Sequence, residues 1–121
     1  MAYDIEFSDL INLAMDHMGV AITIIAADGK MLYYNNYAEM ILDRKPEYIG
    51  NEVYSHHQKA ASSRKLSSMM KSFQEGRTDP FYYEANPYGK PILVTLSPIS
   101  SNGEFIGCTQ SAQLKEEIMF E

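Results

Sequence analysis

A tight turn flanked by two extended runs constrains this chain more than any other feature. Val20 to Ala26 is apolar and rich in β-branched residues, Ala27-Asp28-Gly29-Lys30 carries turn chemistry, and Met31 to Tyr34 resumes an extended pattern. Asp-Gly between two such runs is a strong hairpin signal, because both residues tolerate the backbone that a two-residue turn imposes. Residues 20–35 are therefore expected to form a β-hairpin. A second β-rich block lies towards the other end. Phe81 to Ala85 is aromatic-rich, Asn86-Pro87-Tyr88-Gly89 is a turn, and Pro91 to Ile99 alternates. Ser100-Ser101-Asn102-Gly103 is a further turn, and Glu104 to Leu114 reads as a last strand.

Between and before these blocks the period changes from two to 3.6. Phe7, Leu10, Ile11, Ala14, Met15 and Met18 fall at three- and four-residue spacing, which predicts an amphipathic helix over 7–18 ended by Gly19. Tyr37, Ala38, Ile41 and Leu42 suit a short helix capped by Asn35 or Asn36, and Pro46 and Gly50 break the chain after it. Leu66, Met69, Met70 and Phe73 form the stripe of a longer helix over 61–75, with Ser62 or Ser63 as its cap and Gly76 as its stop. The order is helix, two strands, helices, three strands. Five strands joined by such short turns predict an α+β domain: one five-stranded antiparallel sheet with helices packed on one face, preceded by an N-terminal amphipathic helix. The expected division is a helical cap over 1–19, a core over 20–114 and the start of an exit helix over 115–121.

Composition narrows the function. At 121 residues, 45% of them hydrophobic, the chain suits one globular domain. Ten Lys and Arg against sixteen Asp and Glu give a net charge of −6, which argues against direct nucleic-acid binding. The charge is uneven. Residues 1–50 hold eight acids and three bases, whereas residues 51–80 hold three acids and five bases (Lys59, Arg64, Lys65, Lys71, Arg77). An anionic small molecule would find its best electrostatic neighbour in that middle stretch, although a solvated helix face reads the same way. One cysteine, Cys108, excludes an internal disulfide and a multi-cysteine zinc site. No apolar run approaches the roughly 18 residues of a membrane span, and the N-terminus is acidic, so no membrane association and a cytoplasmic location are expected.

The joints between elements carry a resemblance. The segment MDHMGVAITIIAADGKMLYYNNYAEMIL joins a hydrophobic strand, Asp-Gly and a second strand ending in Asn to a helix with a buried Ala. RKPEYIGNEV sets a Gly before the next short helix, FQEGRTDPFYYEAN closes the long helix, and LVTLSPISSNGEFIGCTQSAQL forms a closing hairpin with Asn-Gly in its turn. In this order and spacing, over about residues 7–116, the chain resembles a PAS domain, the small sensor fold of signalling proteins. VYSHHQKAASSRKL is similar to a subgroup with a histidine before the long helix; His57 falls nearest to it, and Gln58 stands in place of the subgroup's proline. The resemblance implies signal reception in a pocket between sheet and helices, with output through the terminal helices. It also implies a regulator or kinase of which this chain, stopping at Glu121, would be a part, as in transcription regulation or a two-component system.

Candidate site residues follow from that pocket. Haem requires an axial ligand and basic groups for its propionates, and His56 or His57 with Lys59, Arg64 and Lys65 would supply them, with Met69 and Met70 lining or ligating. The alternative is that both histidines are exposed loop residues. Flavin photochemistry of the light-oxygen-voltage type is unexpected, because the reactive Cys segment of those domains is missing and the only thiol is Cys108. His17, His56, His57 and Cys108 are too scattered for a metal site. Ser55, His57 and Asp79 could assemble a triad, but no nucleophile elbow accompanies them, and no catalysis is expected.

Strand parity places Ile92, Val94 and Leu96 on one face, and Cys108, Gln110 and Ala112 on one face of the last strand. The Cys108 side is expected to look into the pocket with Gln110 as its polar reader, and Tyr54, Met69, Met70 and Phe73 complete the expected lining. Tyr33, Tyr37, Tyr82 and Tyr83 offer further hydroxyls. The expected function is a sensor that binds a small ligand and relays its state through a homodimer, formed by residues 7–18, to an output domain or partner protein. The alternatives are a haem-based gas or redox sensor and a ligand-free dimerisation or protein-interaction module.

Overall fold

A computed structural model of the chain describes residues 4–42, 44–51, 60–87 and 89–117, the side chains of 60–63 and 117 excepted. The elements run α1 (Phe7–Asp16), β1 (Ala21–Ala26), β2 (Met31–Tyr34), α2 (Asn36–Ile41), a 3₁₀ turn at Pro46–Tyr48 and α3 (Ala60–Gln74). They continue with β3 (Phe81–Ala85), β4 (Ile92–Ser101), β5 (Glu104–Leu114) and a 3₁₀ turn at Lys115–Glu117. The strands form one antiparallel sheet in the order β2-β1-β5-β4-β3. The α+β expectation of five strands with helices on one face therefore holds.

Four boundaries differ from the sequence expectation. Helix α1 stops at Asp16 rather than residue 18, because the Met15 carbonyl is taken by the Asn35 side chain at 2.6 Å and Asp16 Oδ1 accepts the Asn36 N–H at 2.9 Å. Helix α3 already includes Ala60, so Ser62 and Ser63 lie inside it instead of capping it. The segment after β5 enters a 3₁₀ turn rather than an α-helix within the described residues. Strand β4 runs on to Ser101, which pairs with Glu104 across the Asn102-Gly103 turn; both turn residues have positive φ (53° and 80°), as a two-residue hairpin of this twist demands.

Register decides what the sheet shows to the helices. Thr23 pairs with Tyr34 but Ile25 pairs with Met31, so a bulge between Ile24 and Ile25 compensates the odd spacing of Met31 and Tyr34 and turns both inward. Across the sheet, Thr23, Gln110, Leu96 and Phe81 form one row, and Ala21, Ala112, Val94 and Tyr83 the next. Two apolar clusters pack on this face. One combines Leu66, Met69, Met70 and Phe73 of α3 with Ile25, Met31, Leu96 and Cys108. The other combines Ala38 and Leu42, from α2 and its end, with Ala21, Ile92, Val94 and Ala112.

A single buried side chain ties the N-terminal half together. Asn35 caps α2 by accepting the Ala38 N–H at 3.1 Å, accepts the Ile22 N–H at 2.9 Å, and donates to the carbonyls of Met15 and Val20. All four hydrogen-bonding sites of its amide are used. Of the two expected caps the structure selects Asn35.

Candidate functional site

Between the two apolar clusters runs a polar seam. Thr23 and Gln110 are direct neighbours across β1 and β5, and Tyr83 lies one row further on β3. Arg44, from the irregular stretch between α2 and the 3₁₀ turn, reaches over them. Its Nη2 donates to Gln110 Oε1 at 3.0 Å and its Nε to Thr23 Oγ1 at 3.4 Å. Gln110 also acts on the Tyr83 hydroxyl. Thr23 is fully buried and the other three are half-buried, so these polar groups face the interior. Burial pushes the Tyr83 hydroxyl pKa up; the Gln110 hydrogen bond and the Arg44 charge act the other way, and Cys108 adds slightly to the rise.

The expected lining residues divide in two. Gln110 sits at the centre of the seam, and Val94 borders it beside Tyr83. Met69, Met70, Phe73, Leu96 and Cys108 face the same side but pack on one another as core. The Met70 sulfur accepts the Cys108 thiol at 3.2 Å, and Phe73 stacks tilted against Phe81 and Phe105 at 5.3 and 5.8 Å. The Met70 thioether thus has a partner in Cys108. Tyr54, His56 and His57 lie outside the described residues, as do Lys59 and Ser55. His17, at the end of α1, hydrogen-bonds the Leu13 carbonyl at 2.7 Å. His17, the one histidine among the described residues, is exposed.

Arg44 and Thr23 escaped the sequence reading. Arg44 lies in the acidic first fifty residues, without periodicity, while attention to positive charge falls on residues 51–80. Thr23 is hidden in an apolar run, and only strand parity with Ala21 and Ile25 could have marked it as an inward hydroxyl. A separate cleft of about 270 Å³, lined by Met40, Ile41, Lys90, Ile92 and Leu114, lies at the α2 edge of the second cluster. It does not include the seam.

Cys108 makes a prediction of its own. Burial pushes its thiol from 9.0 up to about 12. The folded protein should resist iodoacetamide near pH 8 and react once unfolded. The unfolded chain loses this proton first as pH rises, so the stabilisation is complete below pH 9 and falls between about 9 and 12, by about 1.4 kcal/mol per pH unit. Urea titrations across that window should show the fall, and Cys108→Ala should flatten it; a slope equal in both proteins would contradict the assignment.

The comparisons agree with this architecture. A PAS domain family model matches residues 11–110, and the chain belongs to the PAS domain family. Among solved structures, a C-terminal domain from Streptococcus mutans is 25% identical, with TM-score 0.71 over 88% of this chain and 84% of that one. The PAS domain of a Colwellia psychrerythraea protein is 18% identical, with TM-score 0.70 over 90% and 97%. A sensory box sensor histidine kinase from Vibrio cholerae is 15% identical, with TM-score 0.63 over 88% and 89%. The last two share the fold. No curated protein matches the sequence. Among the described residues no helix is long and apolar enough to cross a membrane.

Proposed function

We propose that this PAS domain is a non-catalytic cytoplasmic sensor that holds a small polar ligand between the sheet and helices α2 and α3. The observation that carries the reading is the seam itself: Arg44, Gln110, Thr23 and Tyr83 converge inside an otherwise apolar interior. Partly desolvating a guanidinium is costly, and apolar side chains could fill such a place without that cost. A few convergent polar groups on an apolar wall are what a ligand site requires. A screen of small polar metabolites by thermal shift tests this. A compound that stabilises the wild type should lose about 1–3 kcal/mol of that effect on Gln110→Leu. Equal stabilisation of both proteins would place Gln110 outside the site.

The state of the site would pass to an output domain or partner through a homodimer. Helix α1 buries none of its own residues, and Phe7 (75% exposed), Leu10, Ile11 and Leu13 leave it with a large apolar surface. Such a surface on a small domain favours association, and a second copy of α1 offers the same apolar stripe in return. Leu10→Glu with Ile11→Glu should convert a sedimenting dimer to monomer without loss of helical signal. An unchanged sedimentation coefficient would remove α1 from the interface.

A further inference from the structure

Helix α1 is attached to the domain by its last turn. Residues 4–14 are all exposed, and within the helix only Met15 and Asp16 are half-buried. The hydrogen bonds that tie this turn down come from the start of α2. Asn35 Nδ2 donates to the Met15 carbonyl at 2.6 Å, and the Asn36 N–H donates to Asp16 Oδ1 at 2.9 Å. Burial pushes the Tyr33 hydroxyl pKa up and the Asp16 charge adds to the rise, so this carboxylate also stands near β2. Helix α2 is itself a short rod of six residues, about 9 Å long. One end carries the joint with α1. Its other end leads through Leu42 to Arg44, whose N–H donates to the Leu42 carbonyl at 2.8 Å and whose guanidinium reaches Thr23 and Gln110. Along the rod the buried residue, Ala38, clusters with Ala21 and Ala112, small side chains that interlock little. On its Met40 and Ile41 side lies the cleft of about 270 Å³ that Lys90, Ile92 and Leu114 complete. Space on one side and a smooth contact on the other suit small sliding displacements of a packed helix.

We infer that α2 steers α1: Asp16 pins the last turn of α1 to the first turn of α2, so that a displacement of α2 into the cleft changes the direction of α1. The inference deepens the association reading above, because the direction of α1 sets how two copies meet. Geometry amplifies the movement. The ten residues of α1 extend about 15 Å from the joint, so a tilt of about 10° carries Phe7 through about 3 Å. Asp16 acts here as a positioning residue, and what the pin requires is its acceptor oxygen rather than its charge. Asparagine would present the same Oδ1 to the Asn36 N–H, whereas alanine would leave only the Asn35–Met15 bond.

The test uses carbon- and nitrogen-labelled chain carrying Leu10→Glu and Ile11→Glu, in which no second copy holds α1 through its apolar stripe. Residual dipolar couplings of the α1 amides should fit the same alignment as those of the sheet. Adding Asp16→Ala should scale the α1 couplings down to about half or less while the helical Cα shifts persist. Asp16→Asn should leave the couplings as they were. Met40→Trp, at a position 75% exposed, places a larger ring in the cleft beside α2. It should rotate α1 relative to the sheet when Asp16 is present and not in the Asp16→Ala background. Couplings of α1 that still fit the sheet's alignment after Asp16→Ala would overturn the pin. A Met40→Trp change that leaves α1 unmoved, or moves it equally in both backgrounds, would overturn the steering. Sedimentation of the unsubstituted chain reports on association separately: a monomer there removes the dimer and leaves the pin to stand or fall on the couplings.

Discussion

Asn35→Ala should unfold this domain more readily than any other polar-to-alanine change among the described residues. Its amide satisfies the backbone of Met15, Val20, Ile22 and Ala38 at once, so its loss removes the side-chain partner of the Ile22 N–H and of the Met15 and Val20 carbonyls, while the Ala38 N–H keeps the Asn35 carbonyl. At about 1 kcal/mol per lost bond, with a further penalty for the buried Ile22 N–H, the expected cost is about 3 kcal/mol or more. For a chain of this size that lowers Tm by about 10 °C, readable in a calorimetric scan. Asn35→Asp separates the two halves of the role. It keeps the acceptors for Ile22 and Ala38 but turns a carboxylate towards the Met15 and Val20 carbonyls. Burial against those oxygens raises the pKa of the new acid, so its protonated form is the compatible one. The stability gap to wild type should be smallest and level below about pH 4 and widen as pH rises above it. A gap independent of pH would mean that the donor half contributes little.

Gly107→Ala is the second large effect. A Cβ at this position would stand 2.5 Å from the Ile25 carbonyl oxygen and 3.3 Å from the Ala26 Cα, and both are backbone atoms of the paired strand. No side chain can rotate away to relieve the contact, so β1 and β5 must separate locally. The expected destabilisation is about 2–4 kcal/mol. Gly103→Ala is the control: its φ is +80° but no atom lies within 4 Å, so only backbone strain, about 1 kcal/mol, should appear. Because Thr23 and Gln110 pair across the same two strands, Gly107→Ala should also disturb the seam, whereas Gly103→Ala should not. Denaturant titration of the two variants decides the comparison; equal costs would place the limit at backbone conformation rather than strand spacing.

These residues show where the sequence was legible. Turns speak through local chemistry, so Asp28-Gly29 and Asn102-Gly103 marked both hairpins, and period alone marked α1 and the Leu66–Phe73 stripe. Strand parity put Val94, Leu96, Cys108, Gln110 and Ala112 on the helix-facing side, where the structure has them. Parity cannot tell a wall from a filled core. Met70, Phe73 and Cys108 share a face with Gln110, yet they pack in one cluster, and only three-dimensional packing separates them from the seam. Arg44 was illegible for a different reason. Its role depends on its guanidinium reaching Thr23 on β1 and Gln110 on β5, the latter a pairing 66 residues apart in the chain. No local pattern encodes such a contact.

On the reading proposed above, the Arg44–Gln110 seam belongs to a ligand site rather than to the core alone. Native mass spectrometry of the gently purified protein tests it most directly. The wild type should carry one small molecule per protomer above its 13.7 kDa chain mass, and Gln110→Leu should carry it in much lower yield. Bare chain mass in both proteins would contradict the claim and leave the domain a module for association alone.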